Sequence, residues 1–186
     1  MQTDIVIEQT RQWIENVVVG LNFCPFAKRE LRRDAVRFTV NGSGEMGDAL
    51  QQLIDECGFL DANPDTETTL LIHPQVLGDF LDYNDFLEIA DALVADLGYE
   101  GVLQVASFHP QYRFADTEPD DVTNCTNRSP YPTLHLLRES SIERAVAALR
   151  ERFGLGAHPH AILFSRRRFK QRGAHYFAQT VATVHG

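Results

Sequence analysis

The sequence predicts an α/β fold, with a small, mainly parallel sheet of three to four strands and helices on both faces. Short β-branched or apolar runs at residues 35–40, 68–73 and 102–108 alternate with stretches of helical period at 45–57 and 79–97. Strand–helix–strand alternation is how parallel strands are joined, through right-handed crossovers. The run at 68–73 is continuous and not alternating, as in a strand buried on both faces. At 186 residues and 44% hydrophobic, the chain has enough apolar mass for a real core.

Each element has its own local reason. Residues 4–19 set Ile5, Val6, Trp13, Ile14, Val17 and Val18 on adjacent stripes, predicting an amphipathic helix that Gly20 and Asn22 stop. A second helix opens at Phe23-Cys24-Pro25 and runs to about Arg33, since proline in a first turn forfeits no hydrogen bond. Residues 35–40 are the first strand, and Asn41-Gly42-Ser43-Gly44 is a turn. The helix at 45–57 buries Met46, Leu50, Leu53 and Ile54 and ends at Gly58. After the second strand, residues 79–97 repeat Phe80, Phe86, Leu87, Ala90, Leu93, Val94 and Leu97 in a long helix closed by Gly98. Past the third strand and a long loop, residues 131–137 read as the opening of a helix and 140–153 as a full one.

Charge and cysteine usage narrow the function classes. The net charge of −9 argues against duplex nucleic acid or an anionic membrane as partner of the main body. No apolar run reaches the roughly 18–20 residues that span a bilayer, and the first residues lack the basic and apolar regions of a signal peptide. A cytoplasmic protein is the expectation. Cys24, Cys57 and Cys125 are odd in number and widely spaced, so they form neither a disulfide framework nor a CxxC zinc pattern. All 26 acidic residues precede residue 153, against 12 basic ones there, whereas residues 153–186 carry five basic residues and no acid. That shift predicts one α/β domain over 1–152 and a basic C-terminal extension over 153–186.

The loop at 109–130 is where a site is expected. Structureless loops of that length inside a compact domain are usually functional or disordered, and disordered ones rarely hold this many aromatic residues. His73 and His109 each precede a proline at the carboxyl end of an apolar strand, the edge where open parallel sheets bind ligands. If those strands are adjacent, the two histidines stand within a few ångströms. His109 is the candidate general base, with Tyr112 and Arg113 beside it to orient a ligand. Arg128, in Asn127-Arg128-Ser129-Pro130, is placed either to grip a carboxylate or phosphate or to staple the loop by pairing with Asp116, Asp120 or Asp121. His135 and Arg138 share a face if that segment is helical, and Ser129 and Tyr131 add hydroxyls.

Cys24 is the candidate nucleophile. A thiol just ahead of a helix start feels its positive end, and Lys28 and Arg29 push the same way. A buried structural thiol is the alternative. The catalytic candidates are therefore Cys24, His109 and His135. The substrate-binding candidates are His73, Tyr112, Arg113, Asn127, Arg128, Ser129, Tyr131 and Arg138. A metal set drawn from His73, His109, His135 and Cys24 or an aspartate lacks any close ligand spacing, so none is assigned, and the sequence leaves the cofactor unknown. Asn41-Gly42-Ser43-Gly44 is too short for a phosphate-cradling loop and lacks the lysine and spacing of a P-loop.

Three boxes, Cys-Pro-Phe-Ala at 24–27, His-Pro-Gln-Tyr-Arg-Phe at 109–114 and Asn-Arg-Ser-Pro-Tyr-Pro at 127–132 running on to His135-Leu136-Leu137-Arg138, resemble the bacterial domain-of-unknown-function family numbered 1415. The resemblance covers about residues 12–149. It implies motif positions and no reaction, because that family carries no assigned activity. After Phe153 the chain departs from the family pattern, with three consecutive arginines and little periodicity, as a change of reading frame would produce. The functional expectation is a cytosolic enzyme acting on a small anionic metabolite through a Cys/His/Arg site at the carboxyl edge. The alternatives are a non-catalytic ligand- or metal-binding module and a protein-interaction module using the same loop.

Overall fold

A computed structural model describes residues 3–24, 26–115 and 117–153. Residues 154–186 of the expected C-terminal extension, with the arginine run, therefore lie outside the described residues, as do Pro25 and Asp116. The chain begins with α1 (Thr3–Trp13), continued by a π-helical stretch (Ile14–Val19), then α2 (Ala27–Arg32) and β1 (Val36–Val40). There follow α3 (Met46–Ala62), β2 (Thr68–Ile72), α4 (Phe80–Asp96) and β3 (Leu103–Phe108). A 3₁₀ turn (Val122–Thr126), β4 (Thr133–Arg138) and α5 (Glu139–Phe153) complete it.

The sheet has the order β1-β2-β4-β3 and is mixed, which corrects the mainly parallel expectation. β1 and β2 pair in parallel, whereas β4 runs antiparallel to both β2 and β3. The first three strands still point the same way, and β4 is wedged between the second and third. The predicted helix at 131–137 is thus a central strand. Its leucines favour helix in isolation, but in place Leu134 and Leu136 are fully buried in one core while His135 turns to the opposite face. Burial on both sides decides a strand more strongly than intrinsic preference does.

Two hydrophobic cores flank the sheet. On one face α3 and α4 bring Leu53, Cys57, Leu60, Tyr83, Phe86 and Ala90 against Leu71, Leu103, Leu134 and Leu136. On the other, Val6, Trp13, Ile14 and Val17 meet Leu70 and Ile72, with Phe38, Phe108 and Tyr131 packed alongside. Trp13 stands edge-on to Phe108, ring centroids 5.3 Å apart. α3 runs through Gly58 and ends at Ala62, since an exposed glycine in a helix interior is a modest cost and no stop. α4 closes where expected, Gly98 taking the left-handed conformation at φ 82°.

Gly20 ends the first helix for a reason the pattern did not show. The π-helical turns send its amide to the Glu15 carbonyl, 3.0 Å away, and a Cβ on Gly20 would lie 2.1 Å from the Asn16 carbonyl oxygen. Gly20→Ala should therefore cost about 1–3 kcal/mol, the range for overpacking. A urea midpoint shift checks this, and an unchanged midpoint would mean the turn is more pliable than its geometry.

Candidate functional site

The carboxyl ends of β1, β2 and β3 meet one rim, but their histidines do not meet each other. Thr133 of β4 is the ladder partner of both Ile72 and Phe108, so one strand separates His73 from His109. Two strand spacings put their backbones about 10 Å apart. The adjacency on which their closeness depended is absent.

His109 is fully buried and both its ring nitrogens are engaged by the main chain. Nε2 donates to the Leu77 carbonyl at 3.1 Å and Nδ1 accepts from the Gln111 amide at 3.0 Å, which fixes a neutral tautomer. Burial lowers its pKa, partly offset by the carbonyls of Leu77 and Gly78 and the charge of Asp79. Leu77 is held in the left-handed region at φ 63°, unusual for a leucine and worth on the order of 1 kcal/mol of strain. The imidazole thus pins the β2–α4 connection. Tyr83 does similar work beside it: its hydroxyl donates to the Thr133 carbonyl at 2.8 Å and accepts from the Phe108 amide at 3.1 Å, bridging the last pair of the β3–β4 ladder.

The loop after β3 is knitted to itself. Asn124, fully buried, accepts from the Phe114 amide (3.0 Å) and the Thr117 hydroxyl (2.7 Å) and donates to the Glu118 carbonyl (2.8 Å). Asn127 donates to the Ser107 carbonyl at 3.1 Å, and its own carbonyl accepts from the His109 amide. Arg128 donates to the carbonyls of Tyr112 (3.2 Å) and Pro119 (2.7 Å), a staple made to the main chain. Ser129 donates to the Tyr131 carbonyl at 2.6 Å, and the Tyr131 hydroxyl donates to Gln9. The Tyr112 ring packs on Phe80 and Phe114, and Arg113 is exposed.

Other candidates lie elsewhere. His135 sits across the sheet from His109, 6.0 Å from the Phe108 ring, with Nε2 buried and unpartnered among the described residues. Burial lowers its pKa to about 4. Arg138 is at the opposite rim, capping α3 through the carbonyls of Leu60 (2.5 Å) and Asn63 (3.1 Å) and reaching Thr66. Three residues apart on a strand, His135 and Arg138 face opposite sides, so the shared face expected of a helix is lost. Cys24 is half-buried after the π-helical stretch, and the helix it precedes is only six residues long. Cys57 lies in the core, its pKa raised to about 11 by burial and then by Glu56. Burial also raises that of Cys125, against the nearby Arg128. Among the described residues no group of three or more His, Cys, Asp or Glu is placed to hold a metal.

His73 is different. It is fully buried on the α3/α4 side, 6.5 Å from the Phe86 ring, and neither ring nitrogen has a partner among the described residues. Burial lowers its pKa to about 4, so the ring is neutral. Its neighbour across the ladder is Asn41, whose amide bonds the Ile72 carbonyl at 2.9 Å. Asn41 opens the connection into α3, just as His73 opens the connection into α4. Both helices, each 17 residues long, therefore start at this rim. Asp79 caps α4 by accepting from the amides of Leu81 (2.8 Å) and Asp82 (3.2 Å). No side chain caps α3.

The connection into α3 also holds a pattern missed in the sequence. Gly42, Gly44 and Gly47 are spaced Gly-x-Gly-x-x-Gly between a strand and a helix of a parallel βαβ unit, a context that gives this otherwise common spacing meaning.

No described helix is long and apolar enough to cross a membrane. Neither the curated proteins nor the solved structures contain a match to the chain. A family model described as a protein of unknown function, DUF1415, matches residues 5–154, and the chain belongs to that family.

Proposed function

We propose that this chain binds a small anionic molecule at the rim where β1 and β2 give way to α3 and α4. The observation that carries the reading is His73, sealed from solvent between two helix starts with both ring nitrogens unsatisfied. An unsatisfied buried polar atom costs about 1–3 kcal/mol, and folds seldom tolerate two on one ring without a use. Helix N-termini favour negative charge through their free amides and their dipoles.

Binding without a Cys/His catalytic pair is the reading the geometry supports best. Catalysis by Cys24, His109 and His135 asks for convergence of three groups, yet His109 spends both nitrogens on the main chain and His135 lies across the sheet. Thermal unfolding with a panel of phosphates, sulfate and di- and tricarboxylates tests the proposal. At least one anion should raise the melting temperature of the natural chain. His73→Leu should stabilise the free protein by about 2 kcal/mol, because it removes unsatisfied polar atoms, and should blunt the response to the anion. A panel with no effect on the natural chain ends the reading.

A further inference from the structure

Resting on the rim reading above, we propose a specific ligand class: the first turn of α3 and the Gly42–Gly47 connection bind the phosphate group of a small phosphorylated molecule, with His73 beneath as a neutral hydrogen-bonding partner. Three separate observations point there.

The first is the free helix start. The amides of Met46, Gly47 and Asp48 have no carbonyl one turn back to bond, as at any helix N-terminus. The N-cap, Glu45, makes no capping hydrogen bond with its side chain. The preceding turn is already ordered, with Asn41 Oδ1 accepting from the Ser43 amide at 2.8 Å and Ser43 Oγ accepting from the Glu45 amide at 3.1 Å. The Ser43 and Glu45 amides upstream are thus occupied, while those of the first helical turn have no capping side chain.

The second is the glycines. None of Gly42, Gly44 and Gly47 is among the residues with positive φ. A Cβ at Gly42 or Gly47 would meet nothing within 4 Å, and one at Gly44 only the Gln75 carbonyl at 3.9 Å. Neither backbone conformation nor packing requires glycine here. What their bareness does provide is open space against the main chain, as the close approach of a phosphate demands. Because a helical Cα–Cβ bond leans toward the N-terminus, a methyl on Gly47 would intrude on that space.

The third is His73. It is unpartnered and fully buried, on the β2 neighbour of the strand that feeds α3, where the connections after β1 and β2 touch at Gly44 and Gln75. A neutral imidazole offers one donor and one acceptor, which suits a phosphate oxygen and a hydroxyl of the same ligand.

The arrangement departs from the dinucleotide fingerprint in two respects. The third glycine makes no close helix–strand contact, and His73-Pro74 stands at the end of the second strand where an acidic residue would hold a ribose. A single phosphate group is therefore the commitment. Glu45 and Asp48, both exposed, bring negative charge to the same turn and weaken the site.

The experiment is amide NMR on the full chain, titrated with inorganic phosphate, glycerol 3-phosphate and, as a carboxylate control, succinate. Phosphate should move the amides of Met46, Gly47 and Asp48 first. Gly47→Ala should leave the melting temperature unchanged or raised while weakening phosphate binding at least tenfold, and Gly44→Ala should weaken it too. Asp48→Asn should tighten it. Glycerol 3-phosphate binding more tightly than inorganic phosphate identifies an organic phosphate as the ligand; equal binding identifies the inorganic ion. Either result supports the site. Shifts confined to other amides, or binding indifferent to both glycine variants, overturn it. Succinate binding at the rim without any phosphate binding overturns the phosphate assignment and leaves the broader anion reading standing. No binding by any of the three, with no response to the wider anion panel, removes both.

Discussion

Between pH 7 and pH 5 the protein should lose about 4 kcal/mol of stability, and two histidines account for it. His73 and His135 are held at a pKa of about 4 by burial, against 6.5 for an unperturbed ring. By pH 5 the unfolded chain carries almost a full proton at each position while the native state carries very little. The unfolded state therefore binds more protons, and stability falls as pH falls. With about 1.4 kcal/mol per pKa unit, each ring contributes roughly 2 kcal/mol by pH 5. The contribution is fully present above pH 6.5 and lost on descent toward 4. His109, also lowered by burial, pulls in the same direction. Urea midpoints measured from pH 7.5 to 5 give the slope directly, and His73→Leu should remove close to half of it. A flat profile would mean that these rings are protonated in the native state and that water reaches them.

Asn124→Ala should unravel the loop between His109 and Pro132. The asparagine satisfies the Phe114 amide, the Thr117 hydroxyl and the Glu118 carbonyl from a position with no solvent exposure. Removing it takes the acceptor from the Phe114 amide, while the Thr117 hydroxyl keeps the Phe114 carbonyl and the Glu118 carbonyl keeps the Asp121 amide, so a loss of about 1–3 kcal/mol is expected. Hydrogen exchange is the sharper measurement, because local opening shows there before global unfolding does. The Phe114 amide should lose protection while the amides of β2 and β4 keep theirs. Retained protection at Phe114 would show that Arg128, through the carbonyls of Tyr112 and Pro119, holds the loop without it.

The fold was legible in the sequence where hydrophobic period and punctuation agree. α3, α4 and the first three strands fall close to their expected places because long apolar stripes and turn residues say the same thing. β4 was not legible. Thr133–Arg138 is rich in leucine and alternates polar and apolar residues only over Thr133–Leu136, too short a run to outweigh the leucines, and the two strands on either side of it make it extended. The π-helical turns were equally hidden, since periodicity resolves a helix but not its winding.

The site divides in the same manner. A dense loop of polar residues looked like a binding surface. A long excursion must also satisfy its own main chain, and Asn124, Asn127, Arg128 and Ser129 all make hydrogen bonds to it. The His-Pro pairs did mark the carboxyl ends of β2 and β3, which share one rim. What no pattern could separate was a histidine whose nitrogens are both bonded, His109, from one whose nitrogens are both orphaned, His73.

The late central strand has a bearing on how the chain is made. Among the described strands β3 pairs only with β4, which emerges from the ribosome well after it. Until Thr133–Arg138 is synthesised, β2 carries a bare edge and β3 has nothing to pair with, so half the sheet waits on one late hexapeptide. A nascent chain stalled or truncated upstream of Thr133 would present two unpaired strands to its neighbours, the state from which edge-to-edge aggregation starts.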